Sequence, residues 1–219
     1  PPEALGKLPD GVDDAQGAAM QPLAASMVNV HDADISTGDV VAVVGAGVMG
    51  NECGQLAAHM GASEVFAIDI DPNNVAVADE HGLTGIDSRE EDPVERVKAA
   101  TDGIGADVVF EAVGGDQNHA SEGSDPLAQA FQLSRKGGTI VHVGIVPGEM
   151  TYRPRDYKEK CIRYVNARDQ VGVLRTGPNA DTGRAAVEMV ASGRVSIEEL
   201  VTHELDGLES FEEAIEVTL

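Results

Sequence analysis

The sequence predicts an α/β fold built on a doubly wound parallel sheet with strand order 3-2-1-4-5-6. Three observations lead there. The apolar run Val40-Val41-Ala42-Val43-Val44 passes directly into Gly45-Ala46-Gly47-Val48-Met49-Gly50, which reads as a buried strand, a glycine turn and a helix start. Asp-Pro pairs and single glycines then punctuate the chain as starts and stops of further helices. Short β-branched runs lie between those helices, and strands alternating with helices at this spacing pair in parallel, because each crossover needs a helix to return the chain.

The elements follow in order. Val12 to Met20 and Pro22 to Ala33 read as two helices that feed no strand, so residues 1–36 are expected to be a helical lead-in from another domain. A dinucleotide-binding domain is expected over 37–219. Its first strand is Val40 to Val44, and a second, Val65-Phe66-Ala67-Ile68, ends at Asp69. Asp71-Pro72 opens a helix that Gly82 closes, and Asp92-Pro93-Val94-Glu95 opens another, with Glu95 placed for a capping box and Gly103 as the stop. Ala106 to Glu111 is the fourth strand. Asp125-Pro126 opens a helix closed by Gly137, and Thr139 to Val143 and Cys161 to Val165 supply two more strands. Ser196 with Glu199, and Ser210 with Glu213, have capping-box spacing, and Phe211 to Leu219 reads as helix up to the last residue. Both ends therefore read as cut.

Composition narrows the partners. The chain has 219 residues, with 38 acidic against 15 basic and a net charge of -23. A field this negative repels nucleic acid and anionic membrane. A basic partner or adaptation to high salt could explain the acidity; the acids are spread along the chain and not gathered in a tail, which favours salt. On that reading the chain unfolds on transfer to dilute buffer, followed by circular dichroism, and full stability there contradicts it. There is no apolar run of spanning length and no signal-peptide pattern at the start, so the chain reads as soluble and cytoplasmic. Cys53 and Cys161 have no metal-ligand spacing and read as two reduced, buried thiols.

The glycine turn carries the chemistry. In a Rossmann-type unit Gly45 allows the tight turn, Gly47 lets a pyrophosphate approach the backbone, and Gly50 lets the helix pack on the sheet. The first amides of the helix lack intrahelical partners and, with the helix dipole, favour a phosphate. Asp69, at the end of the next strand, is placed to accept hydrogen bonds from both hydroxyls of an adenine ribose.

Several runs together resemble the cofactor half of medium-chain zinc-type alcohol and polyol dehydrogenases. Leu8-Pro9-Asp10-Gly11-Val12 resembles the family's linker, Gly38 to Gly47 its first strand and fingerprint, Gly105 to Gly114 its fourth strand, and Arg135 to Gly144 its fifth. The resemblance implies hydride transfer between a small-molecule alcohol and a nicotinamide, with zinc polarising the alcohol oxygen. It implies that the GroES-like catalytic domain, which carries most zinc ligands and the proton relay, is lacking here, so no catalytic residue is assigned. Where polyol-dehydrogenase relatives often place a zinc-site glutamate before a Pro-Leu pair, this chain has Gln21 before Pro22-Leu23. Gln21 is the metal candidate that this resemblance offers, its other reading being a polar helix-start residue facing the absent domain. By the same resemblance Gly45, Gly47, Val48, Met49 and Gly50 surround the pyrophosphate, with Met49 brushing the nicotinamide. Ala112 and Val113 line the path beneath the cofactor, and Val143, Gly144 and Ile145 present backbone groups to the carboxamide; ordinary strand-end packing is the other reading of these five. Relatives form dimers or tetramers through the sheet edge near the sixth strand, so a homo-oligomer is expected.

Charge favours NAD over NADP, because a 2′-phosphate meets Asp69 and Asp71 and no arginine or lysine lies between Ile70 and Asn74. His81 reads as a helix-end cation, His59 as partly exposed, and His142 as a hydrogen-bonded strand residue; His31, His119 and His203 have no partners at ligand spacing. Gly115 to Ser124 reads as a solvated loop near the cofactor. Two other functions fit parts of the pattern. One is a stand-alone NAD-binding regulatory module, which turnover by the full-length protein would exclude. The other is a zinc-free quinone or enoyl reductase of the same superfamily, whose glycine turn typically has paired glycines, unlike Gly45 to Gly50.

Overall fold

The computed structural model describes residues 7–114, 126–145, 154–167 and 182–218. The elements in chain order are α1 (Asp14–Ala18), α2 (Met20–Ala33), β1 (Val40–Val44), α3 (Val48–His59), β2 (Glu64–Asp69), α4 (Pro72–Glu80), β3 (Thr84–Asp87), α5 (Pro93–Ala100), β4 (Ala106–Glu111), α6 (Pro126–Leu133), β5 (Ser134–His142), α7 (Pro154–Lys160), β6 (Arg163–Asn166), α8 (Thr182–Ala191) and α9 (Phe211–Thr218). The six strands form one sheet in the order β3-β2-β1-β4-β5-β6, with parallel pairing throughout. The expected doubly wound fold is the observed one.

Alternation within the strands fills both faces of the sheet. Val41, Val43, Val65, Ala67, Val108, Phe110 and Val141 point to one side, where α2, α3 and α8 bring Leu23, Val30, Cys53, Leu56, Ala186 and Met189. Ala42, Val44, Phe66, Ile68, Val109 and Ile140 point to the other, against Val94, Val97, Leu127, Ala130 and Phe131 of α5 and α6. Apolar runs with no polar alternation are what a sheet covered on both faces requires. The lead-in helix α2 belongs to this packing: Leu23 and Val28 are completely buried, and α2 lies against α3 and α8.

Several boundaries differ from the sequence reading for local reasons. The first two helices divide at Ala19, and Asp13 caps α1 through a reciprocal box with Gln16. Pro22 lies inside the first turn of α2, where an amide has no intrahelical acceptor to lose. Asp92 caps α5 through the amides of Val94 and Glu95, as expected, but no bond from the Asp92 amide to the Glu95 side chain completes the expected box. The helix expected to run to Gly137 stops at Leu133, and Ser134 pairs at once with Ala106 of β4; Gly137, at φ +73°, makes an irregularity inside β5. Lys160 Nζ then caps the freed helix end, donating to the carbonyls of Phe131, Gln132 and Ser134. β6 begins at Arg163 and not at Cys161, because Cys161 ends α7 in the left-handed region at φ +53°. There its thiol is exposed, not buried as expected, while that of Cys53 is buried. Arg163 donates to the carbonyls of Asp32 and Ala33 at the end of α2. Neither late Ser/Glu pair forms a capping box. Ser196 Oγ donates to the Glu199 carboxylate and Ser210 Oγ to the Asp206 carbonyl, each beside a short 3-10 turn. The Gly115–Ser124 loop, His119 and the Asp125 cap lie outside the described residues.

Candidate dinucleotide site and the helix behind it

The carboxyl ends of β1, β2, β4 and β5 meet at the point where the strand order reverses, which is where open α/β sheets bind ligands. Each strand end is tied to the next. Gly45 N donates to Ile68 O at 2.8 Å, Ala112 N to Val44 O at 2.8 Å, and the amides of Val143 and Gly144 to Glu111 O at 2.8 and 3.0 Å. What Val143 and Gly144 could offer a carboxamide is therefore their carbonyl oxygens.

Three glycines shape the turn in three ways. Gly45 has φ +91°, and a Cβ there would lie 2.9 Å from Val113 Cγ2 and 3.0 Å from the Ala112 carbonyl carbon. Val113 and Ala112 thus lie directly under the turn. A Cβ on Gly50 would stand 1.8 Å from Gly45 O, so only glycine lets α3 close on the turn. Gly47 differs. Its φ is -63°, and a Cβ there would meet nothing within 4 Å. Gly47 is the N-cap of α3, and its carbonyl takes the Asn51 amide at 2.8 Å, the first bond of the helix. The amides of Val48, Met49 and Gly50 come before that bond and have no acceptor within the helix. The result is a glycine-walled space facing a helix N-terminus, with Val48 at its rim and 41% exposed.

Asp69 closes the other side. Its carboxylate accepts from Ala46 N at 2.7 Å and Asn74 Nδ2 at 3.2 Å on one oxygen, and from Asp71 N at 2.9 Å on the other. It braces the glycine turn besides standing where a ribose is expected. Gly144 packs on the chain just beyond β4, where a Cβ would come 2.6 Å from Val113 O, while Ile145 is 85% exposed. Gln21 is exposed in the first turn of α2. Among the described residues no three His, Cys, Asp or Glu side chains are grouped to hold a metal ion. A dinucleotide fits, on the open space at Gly47. No helix among the described residues is long and apolar enough to cross a membrane.

Behind the turn α3 carries a polar seam that the sequence reading did not single out. Glu52 is 1% exposed, and Ser26 Oγ of α2 donates to its Oε2 at 2.8 Å. Burial, opposed by that hydrogen bond, raises its carboxyl from the ordinary 4.5 to about 7. Burial likewise pushes the Cys53 thiol up to about 12. One turn on, Gln55 pairs reciprocally with the backbone of Ser196, accepting from its amide and donating to its carbonyl, both at 2.8 Å. His81 is not in the last turn of α4 but just beyond it. Its ring bridges Asn51 Oδ1 at 2.7 Å and the Glu199 carboxylate at 2.9 Å. Bonds from His81 and then Ser196 pull the Glu199 carboxyl down to about 2. His142 ends β5 with Nδ1 2.9 Å from the Glu111 carboxylate. A polar run Asn51-Glu52 within a helix that packs on a sheet was the available signal for this seam.

Comparison with known proteins agrees with the geometry. Residues 48–192 match the family described as zinc-binding dehydrogenase. The chain is 30% identical over 213 residues to an uncharacterized zinc-type alcohol dehydrogenase-like protein, YdjJ, of Escherichia coli, covering 95% of this chain and 56% of that protein. It is 31% identical over 215 residues to a probable D-xylulose reductase of Arthroderma otae, covering 94% and 56%. Among solved structures, an alcohol dehydrogenase of Thermus sp. superposes with a TM-score of 0.80 at 28% identity, over 97% of this chain and 57% of that one. The chain thus spans about half the length of these relatives.

Proposed function

As this chain belongs to the zinc-binding dehydrogenase family, we propose that it is the cofactor-binding half of an NAD-dependent alcohol or polyol dehydrogenase. The observation that carries the cofactor assignment is the open space at Gly47 between the α3 amides and Asp69. In this reading the amides of Val48 to Gly50 hold the pyrophosphate, and the helix dipole offsets its charge. Asp69 orients the adenosine ribose, and the half-buried side chains of Met49 and Val113 exclude water below the nicotinamide. The carbonyls of Val143 and Gly144 fix the carboxamide and so set which ring face meets the substrate. The nicotinamide, when bound, supplies the hydride acceptor. A zinc ion and the alcohol pocket belong to the catalytic half of the whole protein, toward which the exposed Gln21 is this chain's candidate contribution. Copies of the whole protein associate as a dimer or tetramer through the β6 edge of the sheet, as the family resemblance implies.

The choice of NAD rests on Asp69 and Asp71. Asp69→Ser is expected to weaken NAD binding by about tenfold and to narrow the preference over NADP. Isothermal titration with both cofactors checks this, and unchanged dissociation constants for both overturn it. Asp69 also holds the Ala46 amide, so the same substitution lowers the melting temperature slightly. Turnover of polyols by the full-length protein tests the activity itself.

A further inference from the structure

Glu52 sits on the second turn of α3, and helical side chains lean toward the N-terminus, so its carboxyl lies close behind the turn that faces the phosphate site. Ser26 Oγ stands between two acceptors, Glu52 Oε2 at 2.8 Å and Met49 O at 3.4 Å, and has a single hydrogen to give. Glu52 Oε1 is buried with no hydrogen-bond partner among the described residues. An ionised Glu52 is therefore served by one hydroxyl alone. With a proton, Glu52 donates to Ser26 Oγ, Ser26 turns its hydrogen to Met49 O, and Oε1 becomes a neutral carbonyl oxygen. The neutral arrangement satisfies more of the buried groups.

The surroundings offer little to offset a negative charge. α2 presents the Ser26 hydroxyl, and α3 presents the Cys53 thiol, which stays protonated. Glu52, Thr202 and His203 are among the residues that line an open cavity of about 560 Å³. No lysine or arginine is among the described residues lining it, and His203 is the one titratable group besides Glu52 in that lining. A dinucleotide brings two phosphate charges to the N-terminus of the same helix, about one turn from Glu52.

We infer that Glu52 takes up a proton when the dinucleotide binds and holds it while the cofactor is bound, so that affinity for the cofactor falls as pH rises through neutrality. The proton comes from solvent, one per site. The inference rests on the glycine turn being a dinucleotide site, and the test separates the two. Isothermal titration of the full chain with NAD in buffers of different ionisation enthalpy counts the protons taken up. At about pH 7.5 the parent chain is expected to take up roughly half a proton or more, with Kd rising about tenfold between about pH 6 and about pH 9. Glu52→Gln is expected to take up none and to show a flat Kd over that range. His203→Gln is expected to keep the parent behaviour. Because Gln keeps the shape and hydrogen bonding of the neutral acid, the variant folds; an infrared carboxylic-acid C=O band that grows on adding NAD to the parent chain is an independent readout. Binding with equal proton uptake in the parent and Glu52→Gln overturns this inference alone. No binding by either chain overturns the dinucleotide reading and this inference with it.

Discussion

Replacing Gly50 by alanine is expected to cost the fold about 3 kcal/mol or more, while the same change at Gly47 leaves the fold intact and abolishes cofactor binding. The two glycines lie in one turn, and their surroundings decide the difference. At Gly50 the added carbon would lie 1.8 Å from Gly45 O and 2.9 Å from Gly45 C, both backbone, so no rotamer relieves the clash and α3 must move off the sheet. At Gly47 nothing lies within 4 Å and φ is an ordinary -63°, so alanine meets no obstacle in the free protein. Its methyl instead fills the space assigned to the pyrophosphate, and a loss of more than about 100-fold in NAD affinity is expected. Urea denaturation and isothermal titration on both variants give the two outcomes. A Gly47→Ala chain that binds NAD as well as its parent would remove the pyrophosphate from this turn.

Glu52→Gln is expected to stabilise the protein, with the gain confined to higher pH. The carboxyl titrates near 4.5 when unfolded and near 7 when folded, so the folded state holds more protons than the unfolded state between those values. Stability therefore falls as pH rises across that window in the parent chain. Below about pH 4.5 the group is neutral in both states and the substitution gains nothing. Above about pH 7 the gain reaches up to about 3 kcal/mol, the equivalent of the full displacement. Denaturation midpoints at about pH 4 and about pH 8 test this; a gain of equal size at both would assign the effect to packing and not to charge.

The parts of the fold that were legible in the sequence have local causes. Val40–Val44 is apolar without alternation because both of its faces are covered, and the glycine turn follows it because the chain must reverse there. Asp92 caps the helix it precedes through residues two and three positions on, and spacing alone reveals such pairs. The misread features have distant causes. Ser196 and Glu199 have the spacing of a capping box, but Glu199 is claimed by His81, 118 positions away, and Ser196 by Gln55. Gly137 reads as a helix stop, yet α6 ends earlier because Ser134 is taken by a strand partner at Ala106. In the candidate site the glycines were legible by type, whereas the bracing role of Asp69 on Ala46, and Glu52 with its hydroxyl partner on α2, depend on contacts that only the folded chain brings together.

The ties between strand ends have a thermodynamic consequence. Ile68 to Gly45, Val44 to Ala112, and Glu111 to Val143 and Gly144 form a continuous hydrogen-bonded hem around the cleft. A rim fixed in this way has little conformational freedom left to lose when a ligand arrives. Association at this cleft is accordingly expected to carry only a small entropic penalty from the protein, with binding fast and free of a slow ordering phase. Differences in affinity among ligands then reside in how long each one stays.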